Sequence, residues 1–149
     1  GVGGAPGGIC WGLKHAFGDD VHVFFAEPSH APCATVGLAS GLHDQICVQD
    51  LGIDGVTEAD GLAVARVSGF ACAMVQKLVA GTFTVDDDEL FIPLAELLDL
   101  DGRFIEPSCC ACFLGPRRIS CDPVVARLLE CGTHVFWATG GGRGSAAQR

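Results

Sequence analysis

The residues that open the chain, Gly1-Val2-Gly3-Gly4-Ala5-Pro6-Gly7-Gly8, are suited to chemistry done by backbone rather than side chains. Glycines ahead of a helix leave N–H groups uncovered and let an anion approach closely, and the aligned peptide dipoles favour negative charge at that end. Phosphate is the ligand class such a loop would take. Two nucleotide motifs do not fit. The dinucleotide fingerprint needs glycine where Pro6 stands, and no acidic residue falls on a suitable second strand about 20 residues on. A P-loop needs Gly-Lys-Ser/Thr, whereas the lysines, Lys14 and Lys77, both read as mid-helix. A flexible linker is the plain alternative, and the amphipathic pattern starting at Pro6 speaks against it. On the residues alone, phosphate cradle and linker both stay open.

Other side chains with chemical potential are scattered. Glu27, before Pro28, is either a carboxylate capping a turn or an oxygen donor for a cation. Thr139 reads on its own as a polar residue ending a strand. His15, His22, His30, His43 and His134 share no zinc spacing. The nine cysteines show no paired C-x-x-C framework, and their odd number argues against a disulfide scaffold. Those in apolar surroundings, such as Cys72 in Phe70-Ala71-Cys72-Ala73-Met74, read as small buried hydrophobes in reduced form, which suits the cytoplasm. Cys109-Cys110-Ala111-Cys112 is the one place where metal would be sought.

The elements that must position these residues alternate helix and strand. Pro6 to Phe17 predicts a helix with Ile9, Leu13, Ala16 and Phe17 on one face and Gly18 as its stop. Val21 to Ala26 is apolar on both faces, as in a parallel strand covered by helices. Residues 29–56 read as loops and short pieces. A long helix is expected from Glu58 to Val79, with Thr57 as N-cap, Asp60 near its positive end and an apolar stripe of Ala63, Val67, Phe70, Ala71, Met74 and Leu78. Asp86-Asp87-Asp88-Glu89 is an acidic first turn for a helix carrying Leu90, Leu94, Leu97 and Leu98; it lacks the spaced ligands of a calcium loop. Asp122-Pro123 predicts N-cap and N1 of a short helix ending near Cys131-Gly132. Thr133 to Ala138 reads as a last strand, before Thr139-Gly140-Gly141-Gly142. The sum is an α/β domain over residues 1–142 with a mostly parallel sheet and its ligand at the strands' C-terminal ends, followed by a polar tail, 143–149, expected to be disordered.

A hydrophobic content of 49% over 149 residues suffices for one core. A net charge of −9 argues against nucleic acid, since only Arg117-Arg118 cluster. No apolar run approaches the roughly 18 residues of a membrane span. The absence of an initiator Met, with the chain opening inside a glycine loop, is expected to mean that an upstream part is missing.

Several motifs occur in one order along the chain: GVGGAPGGICWGLKHAFGDDVHVFFAEPSHAPC, GLHDQICVQDLGIDGVTEADGLAVARVSGF, EPS at 106–108, GPRR at 115–118 and HVFWATGGG. Together they resemble the bacterial D-serine ammonia-lyases (D-serine dehydratases), pyridoxal-phosphate enzymes of fold type II; ADGLAV alone supports only the wider group. The resemblance implies pyridoxal 5′-phosphate as cofactor, with its phosphate on the backbone amides of Gly1, Val2, Gly3 and Gly4 and its pyridine nitrogen on the Thr139 hydroxyl. It implies conversion of D-serine to pyruvate and ammonia by a monomeric parent enzyme, and a monovalent cation, potassium, near Glu27. The family's Schiff-base lysine and substrate loop match nothing in these residues and are expected upstream, so the fragment alone should be inactive. A threonine or serine dehydratase, or a non-catalytic fragment that at most binds phosphate, are the rival readings. The chain departs from the family at Cys109-Cys110-Ala111-Cys112-Phe113, between Arg118 and Thr133, and after Gly142.

Overall fold

The computed structural model describes residues 3–130 and 132–140. Its sheet has two strands, β1 (Phe24–Pro28) and β2 (Gly81–Val85), paired in parallel from Phe24↔Gly81 to Pro28↔Val85. Val23 O accepts from Ala80 N, and Ser29 N donates to Val85 O. The odd-numbered residues therefore bond across to β2, and the missing N–H of Pro28 falls on the other side, where it costs the ladder nothing. The strand expected at 21–26 starts at Phe24 because its partner starts only at Gly81. The sequence reading had not identified β2 as a strand.

α1 (Gly4–Phe17) precedes β1 and follows the expected helix closely. It packs on α3 (Gly69–Val75) at an all but bare crossing: a Cβ at Gly7 would sit 3.2 Å from the Ala71 Cβ. α2 (Cys33–Ser40) occupies the stretch expected to be loops and short pieces. α4 (Asp87–Asp101) is the helix expected from its acidic first turn, held by a reciprocal capping box between Asp86 and Glu89 and closed at Gly102, whose φ of +64° suits glycine.

The long helix expected from Glu58 to Val79 is not formed, and this is the main correction to the elements. Only a 3₁₀ turn (Asp60–Leu62) and α3 are helical there. Competing bonds take the first half. The Thr57 hydroxyl donates to Asp87 at 2.5 Å instead of capping a helix, and Ala65 O accepts from Val48 N. Ser68 caps α3, accepting from Ala71 N. Gly69, α3's first residue, lies against the Asp44 carboxylate, with no room there for a Cβ.

Beyond α4 the chain makes short turns of helix: α5 (Pro107–Cys110), α6 (Gly115–Ile119) and α7 (Pro123–Ala126). Arg118 on α6 pairs with Glu89 on α4. Asp122 and Pro123 take the expected N-cap and N1 places, the Asp122 side chain accepting from Val124 N. The strand expected at Thr133–Ala138 is absent: these residues join no ladder, and Val135 and Trp137 are left 76% and 54% exposed. An apolar run becomes a buried strand only where covering layers exist for both faces, and among the described residues this segment has a ring contact only at Phe136, against Phe113.

The larger core cluster gathers Phe25, Val36, Val48, Val67 and Val75 with the thiols of Cys10, Cys33 and Cys72. A smaller one forms around Val85, Leu90, Ala59 and Ala111. Every described cysteine is a free thiol, and most are buried, as small hydrophobes should be.

Candidate functional site

Between α1, β1 and the start of α5 lies a cavity of about 500 Å³, walled by Ala5 and Pro6 of α1's first turn, Phe24 of β1, Cys109, and, beyond the last helix, Phe136 and Thr139. The helix end that reaches it is open. Gly3 is the N-cap of α1, no side chain caps the helix, and a Cβ at Gly3 or Gly4 would meet nothing within 4 Å. Pro6 has no N–H, and among the described residues the Gly4 and Ala5 amides have no hydrogen-bond partner, which is the condition an anion requires. Gly1 and Val2, the other half of the expected cradle, lie outside the described residues.

Thr139 reaches the same cavity because the chain there folds onto α5. Gly140 N donates to the Cys109 sulfur at 3.2 Å, and that sulfur lies 3.8 Å from Thr139 Oγ1. Any side chain at 140 would run into the Glu106 carboxylate. The Gly61 N–H donates to Ser108 Oγ at 2.9 Å. Three separated motifs, Ala59 to Val64, Glu106 to Ser108 and Ala138 to Gly140, therefore meet at one end of the cavity. The sequence reading offers Thr139 here, and Cys109 only as part of a possible metal cluster, which the described residues do not form. Glu106, Ser108 and Gly140 were missed, although each stands in or beside a quoted motif.

Glu27 is fully buried at the end of β1. One oxygen accepts from Ala34 N at 2.8 Å, with the Cys33 thiol 3.8 Å away; the other accepts from Thr35 N and Thr35 Oγ1, both at 2.7 Å. Pro32, the N-cap of α2, has no capping side chain. Glu27 supplies the cap from outside the helix, and the positive end of the helix compensates its charge. Burial, with the Glu27 carboxylate adding to it, pushes the Cys33 thiol up to about 12, so it stays protonated.

The histidines and the remaining cysteines are dispersed. His30 Nδ1 lies 2.8 Å from Asp54, whose hydrogen bond and charge raise the histidine's pKa. His43 meets Gln76. Cys110 and Cys112 turn their thiols to the backbone carbonyls of Glu106 and Cys109. Burial pushes them up to about 12 and about 11. Among the described residues no group of three or more His, Cys, Asp or Glu side chains could hold a metal ion.

A parallel sheet, a glycine-opened helix leading into it and a cavity at that helix's first turn define an α/β protein. The chain belongs to the family of pyridoxal-phosphate dependent enzymes, whose model matches residues 1–128. It is 48% identical over 147 residues to a probable D-serine dehydratase of Bacillus cereus (strain 03BB102), covering 95% of this chain and 33% of that protein. It is 49% identical to the D-serine dehydratase of Salmonella arizonae, over 95% of this chain and 34% of that one. The chain thus spans about a third of the length of the curated relatives it matches. The processed form of threonine deaminase isoform 2 from Solanum lycopersicum superposes with a TM-score of 0.69 over 99% of this chain and 40% of its own, at 19% identity. The serine racemase of Dictyostelium discoideum gives 0.57 over 74% of this chain and 34% of its own, at 24% identity. These two share the fold, which is that of fold type II enzymes.

Proposed function

We propose that this chain is the cofactor-holding part of a D-serine ammonia-lyase, which converts D-serine to pyruvate and ammonia. The observation that carries the reading is a cavity with the first turn of α1, Ala5 and Pro6 behind an uncapped N-terminus, at one wall and Thr139 at another. Pyridoxal phosphate, when bound, supplies the electron sink for eliminating water from a hydroxy amino acid. The residues present fit that group: Gly3 and Gly4, with Gly1 and Val2 ahead of them, would hold the phosphate, and Thr139 would meet the pyridine nitrogen. A neutral hydroxyl does not hold a proton on that nitrogen as a carboxylate would, which keeps the sink moderate and favours elimination over transamination. Phe24 and Phe136 give the cavity apolar walls that limit water.

The Schiff-base lysine is proposed to come from the part of the enzyme that these residues do not include. Buried reduced thiols support a cytoplasmic setting. Neither nucleic acid nor membrane is proposed as partner: the charge is −9, and no described helix is long and apolar enough to cross a bilayer. The parent enzyme is proposed to be a monomer. The potassium proposed at Glu27 makes a separate demand. Both carboxylate oxygens already accept hydrogen bonds, so the ion would have to share them with the α2 amides. Potassium titration should then shift the Ala34 and Thr35 amide resonances; if they stay still, Glu27 is a helix cap only.

The test of the activity is a chimera in which this chain replaces the matching third of the Salmonella arizonae relative. The expected product is pyruvate from D-serine, with much less from L-serine and no 2-ketobutyrate from threonine. A folded chimera that binds no pyridoxal 5′-phosphate and releases no pyruvate would overturn the reading.

A further inference from the structure

The structure places Cys109 directly behind Thr139. Its backbone is fixed by the first turn of α5, where Cys109 N donates to Glu106 O at 2.9 Å, and its side chain is 6% exposed. The sulfur accepts the Gly140 N–H at 3.2 Å. The thiol donates to Gly140 O at 3.6 Å, and Thr139 Oγ1 lies 3.8 Å from the sulfur, a contact in which either atom could be the donor. The close approach depends on Gly140, since a side chain there would collide with the Glu106 carboxylate. One thiol thus contacts the backbone after Thr139 and the hydroxyl of Thr139 itself.

We infer that Cys109 is a positioning residue for Thr139: it ties down the 139–140 turn and, by donating its thiol hydrogen to Thr139 Oγ1, leaves the threonine hydrogen to point into the cavity. A hydroxyl has one hydrogen and two lone pairs, so a donor behind it biases it to act as donor in front. That is the role a pyridine nitrogen requires of it. The inference rests on the pyridoxal-phosphate reading above and adds to it the residue that orients the ring contact.

The experiment is a double-mutant cycle on the full chain, read by equilibrium titration with pyridoxal 5′-phosphate and by the Gly140 amide resonance. Thr139→Val should weaken binding about 5-fold, the scale of one hydrogen bond. Cys109→Ala should weaken it about 3-fold or more and move the Gly140 amide, while Cys109→Ser, which keeps a donor and an acceptor, restores binding to within about twofold of wild type. In the Thr139→Val background, Cys109→Ala should add nothing further, because the thiol acts through the hydroxyl. A purely packing role predicts independent effects in the two backgrounds, and that additivity overturns the inference. Equal binding by wild type and Cys109→Ala overturns it too, while the Thr139 effect stays in place. If wild type does not bind, or Thr139→Val binds as well as wild type, the underlying reading of Thr139 fails and the inference falls with it.

Discussion

Glu27 shows how one side chain can serve the fold at the edge of a functional region. Its four acceptor positions face two amides, a hydroxyl and a thiol of the α2 start. Glu27→Gln puts an NH₂ against donors and removes the charge from the helix's positive end. Charge-assisted bonds of this kind are worth about 1.5–3 kcal/mol each, and urea denaturation should show a loss of about 2 kcal/mol or more. Thr35→Val, which removes one neutral donor, should cost about 1 kcal/mol. Equal costs for the two would mean that the carboxylate charge contributes nothing. The sequence offered Glu27 as a turn cap or a cation ligand; the turn it caps is the start of a helix six residues on, which residues 29–56 had not suggested. Thr139 stands out only through the family resemblance, because nothing in its immediate neighbours distinguishes it from a turn residue.

Among the elements, α1 makes opposite predictions for neighbouring glycines. Gly8 faces open space, so Gly8→Ala should stabilise by about 0.5–1 kcal/mol through helix propensity alone. Gly7 faces Ala71, so Gly7→Leu should overpack the α1–α3 contact and cost about 1–3 kcal/mol. Thermal melts of the two variants moving in the same direction would contradict this packing. Helices with local punctuation were legible in the sequence: α1 through its apolar face and Gly18, α4 through its acidic start. The helix expected at 58–79 failed because periodicity counts apolar residues without knowing the competing partners. Asp87 takes Thr57, Val48 takes Ala65, and Ser68 starts a shorter helix. The strand expected at 133–138 failed for the complementary reason, since apolar residues alone do not make a ladder.

At the scale of the whole molecule, the core's dependence on thiols makes stability fall in alkali. Cys33 and Cys110 are raised from 9.0 to about 12, and Cys112 to about 11. In the unfolded chain these thiols ionise first, so the folded state keeps its protons longer. The stability they contribute is complete below about pH 9 and is lost as pH rises toward their folded values. Urea midpoints should be level near pH 8 and decline between about pH 9 and 11, with a shallower decline in Cys110→Ala. A flat profile across that range would mean that the thiols are not shielded. Cys121, which is exposed, should be alkylated well before Cys33 or Cys110 in native protein, and mass spectrometry of the labelled peptides reads the order.

The central claim is that one cavity holds both ends of pyridoxal 5′-phosphate. It is tested most directly by titrating the ¹⁵N-labelled chain with that compound and following backbone amides. The Gly3 and Gly4 amides and the Thr139 and Gly140 amides should shift together with a single dissociation constant, and pyridoxal without its phosphate should leave the Gly3 and Gly4 signals in place. Shifts at the glycines that inorganic phosphate reproduces in full, with Thr139 and Gly140 unmoved, would contradict the claim and leave only an anion-binding helix end.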